Sequence, residues 1–171
     1  QWIRTHSKKI FDEDGKIALS GKINKSKLQQ ALKNYYDSKL YWDLKNRSLD
    51  VKDFDLSFAE GMSLEDGAAT ITEYTAEILV KKIEDHSRSK YEQIIFVGGG
   101  RKNKFLIRKI KEKIFHPTIL SIDDYGIDGD FVESQSFGYL AIRSYLGLPI
   151  SFPETTGCKS PCTGGVLVKN F

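Results

Sequence analysis

Residues 93–105 read QIIFVGGGRKNKF. Four uncharged residues, Ile94 to Val97, run into Gly98, Gly99 and Gly100, and a basic segment follows. A short apolar run that stops at glycines and resumes at helical spacing predicts strand, tight connection, helix. Leu106, Ile110 and Ile114 form the i, i+4, i+8 stripe of a helix from about Asn103 to Phe115, with Arg108, Lys109, Lys111 and Lys113 outside it. Thr118 to Ile122 then reads as a second short strand. Glycine has no Cβ, so backbone N–H groups at such a junction can converge on an anion. A tight turn with no ligand explains the triplet equally well. The string is neither the G-x-x-x-x-G-K-[ST] phosphate loop nor G-x-G-x-x-G.

Upstream, Trp2 to about Lys9 reads as a short amphipathic helix. FDEDGKIALSGKIN carries turn signals at Asp14-Gly15 and Ser20-Gly21 and reads mostly as loop. Asn24 suits the cap of a helix with Leu28, Ala31, Leu32 and Tyr35 on one face. SKLYWDLKNRSLDVKDFDLSF reads as an ordered loop with short helical turns. Ser63 and Asp66 approximate a capping box for a long helix, whose inward face is predicted to hold Ala68, Ile71, Thr72, Thr75, Ile78, Leu79 and Ile83.

Downstream, GDFVESQSFGYLAIRSYLG predicts a helix with Phe131, Ser134, Phe137, Leu140, Ala141 and Tyr145 toward the core, stopped at Gly147. Val166 to Val168 reads as a final strand. Helices interleaved with short strands give an α/β class.

Composition narrows the function classes. The chain has 171 residues, 40% apolar and 29% charged, with a formal net charge of +3. That is one domain of ordinary size, or one lobe of something larger, with a real core, and its mixed charge does not point to nucleic acid. No apolar stretch approaches ~18 residues, so no membrane helix is expected. The opening QWIRTHSKKIFDEDG has no apolar block of a secretory signal. Met62 is the single methionine, so Gln1 is not an initiator; a processed precursor, a trimmed chain and a piece of a longer polypeptide all fit. Cys158 and Cys162, with three scattered histidines, fall short of a metal-ligand set and read as two reduced thiols. The basic run after the glycines reads as a solvated helix face or as a phosphate contact. Glu133, in the first turn of its helix, reads as a carboxylate favourable to the helix dipole or as a ligand-binding group at the mouth of a cleft.

Taken together, several strings resemble one family. FVGGGRKNKFL, GDFVESQSFGYLAIRSYLGLPISFPETTG, DEDGKIALSGKIN, RSLDVKDF and SLEDGAATITEYTA are similar, in order and spacing, to segments of anhydro-N-acetylmuramic acid kinases. These belong to the sugar kinase, heat-shock ATPase and actin-like superfamily. The resemblance implies one C-terminal actin-like ATPase (ribonuclease H-like) lobe over residues 1–171, a mixed sheet with helices packed on it. It implies an ATP- and Mg²⁺-dependent conversion of 1,6-anhydro-N-acetylmuramic acid to N-acetylmuramic acid 6-phosphate in cell-wall recycling, in the cytoplasm.

By position, Gly98, Gly99, Gly100 and Asn103 match the family's nucleotide-side loop, and Glu133 matches a sugar-binding glutamate. Thr156 and Gly157 match a structural turn. The family's first phosphate loop (GTS-x-DG) and the GPGN-like stretch with its catalytic Asp are not in this chain, so no catalytic residue and no metal ligand is assigned here. The missing N-terminal lobe is the implied partner, with a homodimer in the full protein and no role for nucleic acid or membrane. Ser134, Gly138 and Cys158 depart from alanines usual in the family. A non-catalytic nucleotide-binding or dimerisation module, left from a split or degenerate kinase gene, is the alternative.

Overall fold

The structure is a computed structural model that describes residues 1–38, 53–87 and 91–168, with the side chains of residues 86 and 87 excepted. Most of the predicted loop over residues 38–58, and most of RSLDVKDF, lies outside the described residues.

Helix α1 spans Trp2–His6, α2 Lys16–Ser20, α3 Lys25–Asp37 and α4 Leu64–Ser87. Strand β1 (Gln93–Phe96) leads through the glycines to α5 (Lys104–Lys111), and β2 (Thr118–Ser121) leads to α6 (Val132–Tyr145) and the one-turn α7 (Pro153–Thr156). β1 and β2 pair in parallel, Gln93 opposite Thr118 and Phe96 opposite Ser121. That pairing with α5 between the strands is the βαβ unit expected of this class.

The predicted caps at Asn24 and Ser63 form, although Asp66 accepts from the amide of Lys22 at 2.7 Å rather than completing a capping box, and Asn103 is a further cap that the sequence reading did not assign. Asn24 accepts from the amide of Lys27 at 3.1 Å, Asn103 from that of Leu106 at 3.0 Å, and Ser63 from that of Asp66 at 3.1 Å. Each satisfies an N–H that a helix start leaves without a partner.

The core is organised around α4. Its Ala68 joins Trp2, Ala18, Ala59 and Phe105; its Tyr74 and Ile78 join Leu28, Ala31 and Tyr35; its Ala76 and Val80 join Ile110, Ile114 and Ile119. A single inward face was too narrow an expectation. Ala69, Thr70, Glu73, Tyr74, Ala76 and Val80 are buried as well, because neighbours pack on α4 from several directions. The Trp2 indole lies over Gly67, where any Cβ would come within 2.2 Å of the ring, and its Nε1 donates to the carbonyl of Leu64 at 2.9 Å.

Other expectations are corrected. Residues 13–20 are helical turns rather than loop, because both carboxylate oxygens of Asp12 accept from the amides of Ile17 and Ala18, at 2.8 and 2.9 Å. α1 ends at His6 and α5 at Lys111, short of the predicted Lys9 and Phe115. Val166 to Val168 is exposed and forms no strand; Ser151 and Cys162 instead make one antiparallel bridge. Helix α6 buries none of its residues, so the expectation that Phe131, Ser134, Phe137, Leu140, Ala141 and Tyr145 face the core is not met among the described residues.

The two cysteines are free thiols. No helix among the described residues is long and apolar enough to cross a membrane.

Candidate functional site

The glycines do different jobs. Gly98 has φ +75° and ψ 178°, a conformation essentially reserved for glycine. Gly99 and Gly100 open a short helical turn over Gly99–Lys102, and a Cβ at either would meet nothing within 4 Å. Nothing among the described residues therefore demands glycine at 99 or 100. Their amides, at the start of the turn, are the N–H groups a helical turn leaves for an outside acceptor.

Arg101 holds the loop in place. Its side chain is only 4% exposed. Nη1 donates to the carbonyl of Gly98 at 3.0 Å and to Asp130 at 2.7 Å, while Nε and Nη2 fork onto Asp123 at 2.6 and 2.9 Å. Asp123 also accepts from the Ser121 hydroxyl and the Gly129 amide, and Lys102 pairs with Asp130. The close approach leaves no room for a side chain at 129, where a Cβ would lie 2.4 Å from Arg101 Nε. Arg101, then Ser121 and the Gly129 amide, hold the Asp123 carboxyl well below the usual carboxylate range. Lys102 and Arg101 lower that of Asp130. The planar fork of arginine suits this two-acid clamp in a way a lysine cannot reproduce.

Beside the clamp lies an open cleft of about 300 Å³, lined by Val97, Gly98, Val132, Glu133, Ser136, Phe137 and Leu140. It brings Gly98, at the end of the strand, beside Glu133, in the first turn of α6. Glu133 makes no capping bond to its helix, whose N-cap is Phe131. Its carboxylate is exposed, able to accept from hydroxyl donors.

Gly99, Gly100 and Asn103 do not line this cleft. Asn103 Oδ1 is committed to capping α5, and the residue packs against Gly15, where a Cβ would come within 2.2 Å of that oxygen. Asn103 therefore braces the loop. Val97, Val132, Ser136, Phe137 and Leu140 are the lining residues that sequence reasoning did not assign. The last three follow Glu133 at i+3, i+4 and i+7, a signal already present in the helical period.

The basic run splits as well. Lys109 and Lys113 turn toward α4, with Lys113 at 2.8 Å from Glu73 and 2.7 Å from Glu77, and Lys109 at 3.6 Å from Glu73. Those two are structural rather than a solvated face. Among the described residues, no three His, Cys, Asp or Glu residues cluster as metal ligands.

The model of the family described as anhydro-N-acetylmuramic acid kinase matches residues 1–170. Proteins named anhydro-N-acetylmuramic acid kinase from Pelagibacter ubique, Caulobacter vibrioides and Rhizobium rhizogenes are 45%, 38% and 36% identical to it. The alignments take in 100%, 92% and 98% of this chain but 46%, 41% and 44% of those relatives. The chain thus spans a little under half the length of the curated relatives it matches.

Proposed function

The chain belongs to the anhydro-N-acetylmuramic acid kinase family, and from that premise we propose that it supplies the C-terminal, actin-like lobe of an ATP-dependent amino-sugar kinase. The reaction is the conversion of 1,6-anhydro-N-acetylmuramic acid to N-acetylmuramic acid 6-phosphate. Water bonds to C1 as the C1–O6 bridge opens, O6 bonds to the γ-phosphorus, and ADP departs. The base that activates the water is an Asp in the other lobe, and a homodimer of the completed cytoplasmic protein belongs to the same reading.

The observation that carries this proposal is the cleft shared by Gly98 and Glu133. The glycine loop fits a nucleotide: Gly98 turns the chain without a side chain, and Gly99 and Gly100 leave open space for the adenosine and α-phosphate side. ATP supplies the phosphoryl group. Glu133 accepts from a sugar hydroxyl and orients the sugar. Arg101 and Asn103 hold the loop that bounds the nucleotide side. Positioning of this kind is most of what phosphoryl transfer asks of a protein. Mg²⁺ meets no cluster of three or more His, Cys, Asp or Glu residues among the described residues.

The test is to combine the chain with the remaining portion of the Pelagibacter ubique relative and follow ATP-dependent phosphorylation of the anhydro sugar. Product should require both parts, and Glu133→Gln should lower kcat/KM for the sugar by roughly 10–100-fold, the loss of one charged hydrogen bond. An assembled pair that transfers no phosphoryl group overturns the proposal in favour of a non-catalytic module.

A further inference from the structure

Helix α6 is unlike a finished surface helix. Phe131, Tyr139, Ile142 and Leu146 recur at helical spacing and are 58%, 59%, 62% and 61% exposed. Another side of the same helix already lines the cleft. A helix apolar on more than one side is the pattern of one buried between layers. The sheet is incomplete in the same way. Ile94 and Phe96 pack into the core, whereas the alternate residues Ile95 and Val97 are 42% and 49% exposed. A two-stranded sheet with a bare apolar face needs further strands or another layer. Because Val97 and α6 share the cleft wall, the bare strand face and the helix form one region.

We infer that this region is the seat of the part of the family polypeptide that this chain does not span, docked as an apolar layer across α6 and β1. The inference rests on the kinase-lobe reading above. The matched relatives carry more than half of their length beyond the aligned part, enough for at least one further domain. The exposed side chains of the region are aromatic and aliphatic, the chemistry of an obligate contact rather than of a nucleic-acid or acidic partner. Each strand of the sheet pairs with only one neighbour among the described residues, and a folded lobe of the same protein can supply the next strand.

The experiment co-expresses this chain with the tagged remaining portion of the Pelagibacter ubique relative, without nucleotide or sugar. A 1:1 complex is expected by size exclusion with light scattering. Ile142→Asp and Leu146→Asp should each weaken it at least tenfold. Phe115→Asp, at a residue 98% exposed and outside the region, should leave it within twofold. Circular dichroism of the isolated variants should match the parent chain, since Ile142 and Leu146 are exposed in it.

Failure of the two portions to co-purify overturns the inference. So does a complex indifferent to both α6 substitutions, or a self-dimer of this chain that Ile142→Asp abolishes. A complex that depends on α6 yet transfers no phosphoryl group upholds the interface and sinks the kinase reading. Catalysis by a pair indifferent to α6 does the reverse.

Discussion

Gly98 and Gly99 are adjacent, yet they should respond to substitution in opposite ways. Gly98 sits at φ +75° with open space around it, so an alanine there meets no clash but must hold a conformation that side chains rarely adopt. Gly98→Ala should cost about 1–3 kcal/mol in denaturant unfolding. Gly99 carries no such strain, so Gly99→Val should change stability by less than about 1 kcal/mol. Any loss of ATP affinity it causes in the assembled protein, read by calorimetry, would then report the ligand and not the fold.

Arg101 gives the residue scale its pH dependence. Asp123 and Asp130 titrate below their ordinary value in the folded chain. Their contribution is complete above about pH 4 and fades as pH falls through the depressed values. Arg101→Met should therefore flatten the acid limb of the stability profile and expose residues 122–131 to proteolysis, both absent in Gly99→Val. The cap at Asn24 was legible in the sequence because it bonds an amide three residues on. The Arg101 clamp was not, because Asp123 and Asp130 lie 22 and 29 residues away, and local patterns carry no information on such pairs.

Among the elements, α4 shows where periodicity misleads. Its apolar residues were read as one stripe, but it is packed by α2, α3 and α5 from different sides, so small and polar residues are buried too. Glu73, 6% exposed, meets Lys109 and Lys113 of α5 and its continuation. Burial works against the Lys113 charge, but the bonds to Glu73 and Glu77 outweigh it and raise its pKa. On another side of α4, burial first, then Tyr35, Asp55 and Tyr36, push the Tyr74 hydroxyl up to about 12.

Both raised groups act in the same direction. The native state favours the protonated form, so their stability is fully present below about pH 10 and is lost as pH rises through the folded values. Stability should fall between pH 10 and 12 by on the order of 2 kcal/mol from Tyr74, and Tyr74→Phe should remove that share. A urea midpoint equally sensitive to alkali in Tyr74→Phe would contradict the assignment. Helix α2 was missed for a different reason: its start depends on Asp12, several residues ahead of the helix, with Asp14 and Gly15 at φ 56° and 72° between them. Turn signals and a helix start overlap there, and propensity alone favours the turn.

At the scale of the whole molecule, the α/β class and most of the helix and strand positions were legible, because each rests on local periodicity and turn chemistry; the parallel pairing of β1 with β2 was not, because it joins residues far apart in sequence. The inward face of α6 was also not legible: its apolar period points to burial, yet among the described residues none of its side chains is buried.

The result is a molecule of uneven stability. α4 belongs to three core clusters, whereas α6 is held by its own hydrogen bonds and a few contacts near its C-terminal end, such as Arg143 with the carbonyl of Pro149 at 2.7 Å. An exposed helix of 14 residues is marginal in water, whatever its sequence. Hydrogen exchange on the isolated chain should therefore find the amides of Ala69 to Val80 opening only with global unfolding, and those of Ser136 to Ile142 at least about 100-fold less protected. Addition of the remaining portion of the Pelagibacter ubique relative should raise protection across Ser136 to Ile142 toward that of α4, and leave Ala69 to Val80 ordered as before. Equal protection of the two helices in the isolated chain would mean that α6 is already fully supported, and its apolar surface would then need no further layer.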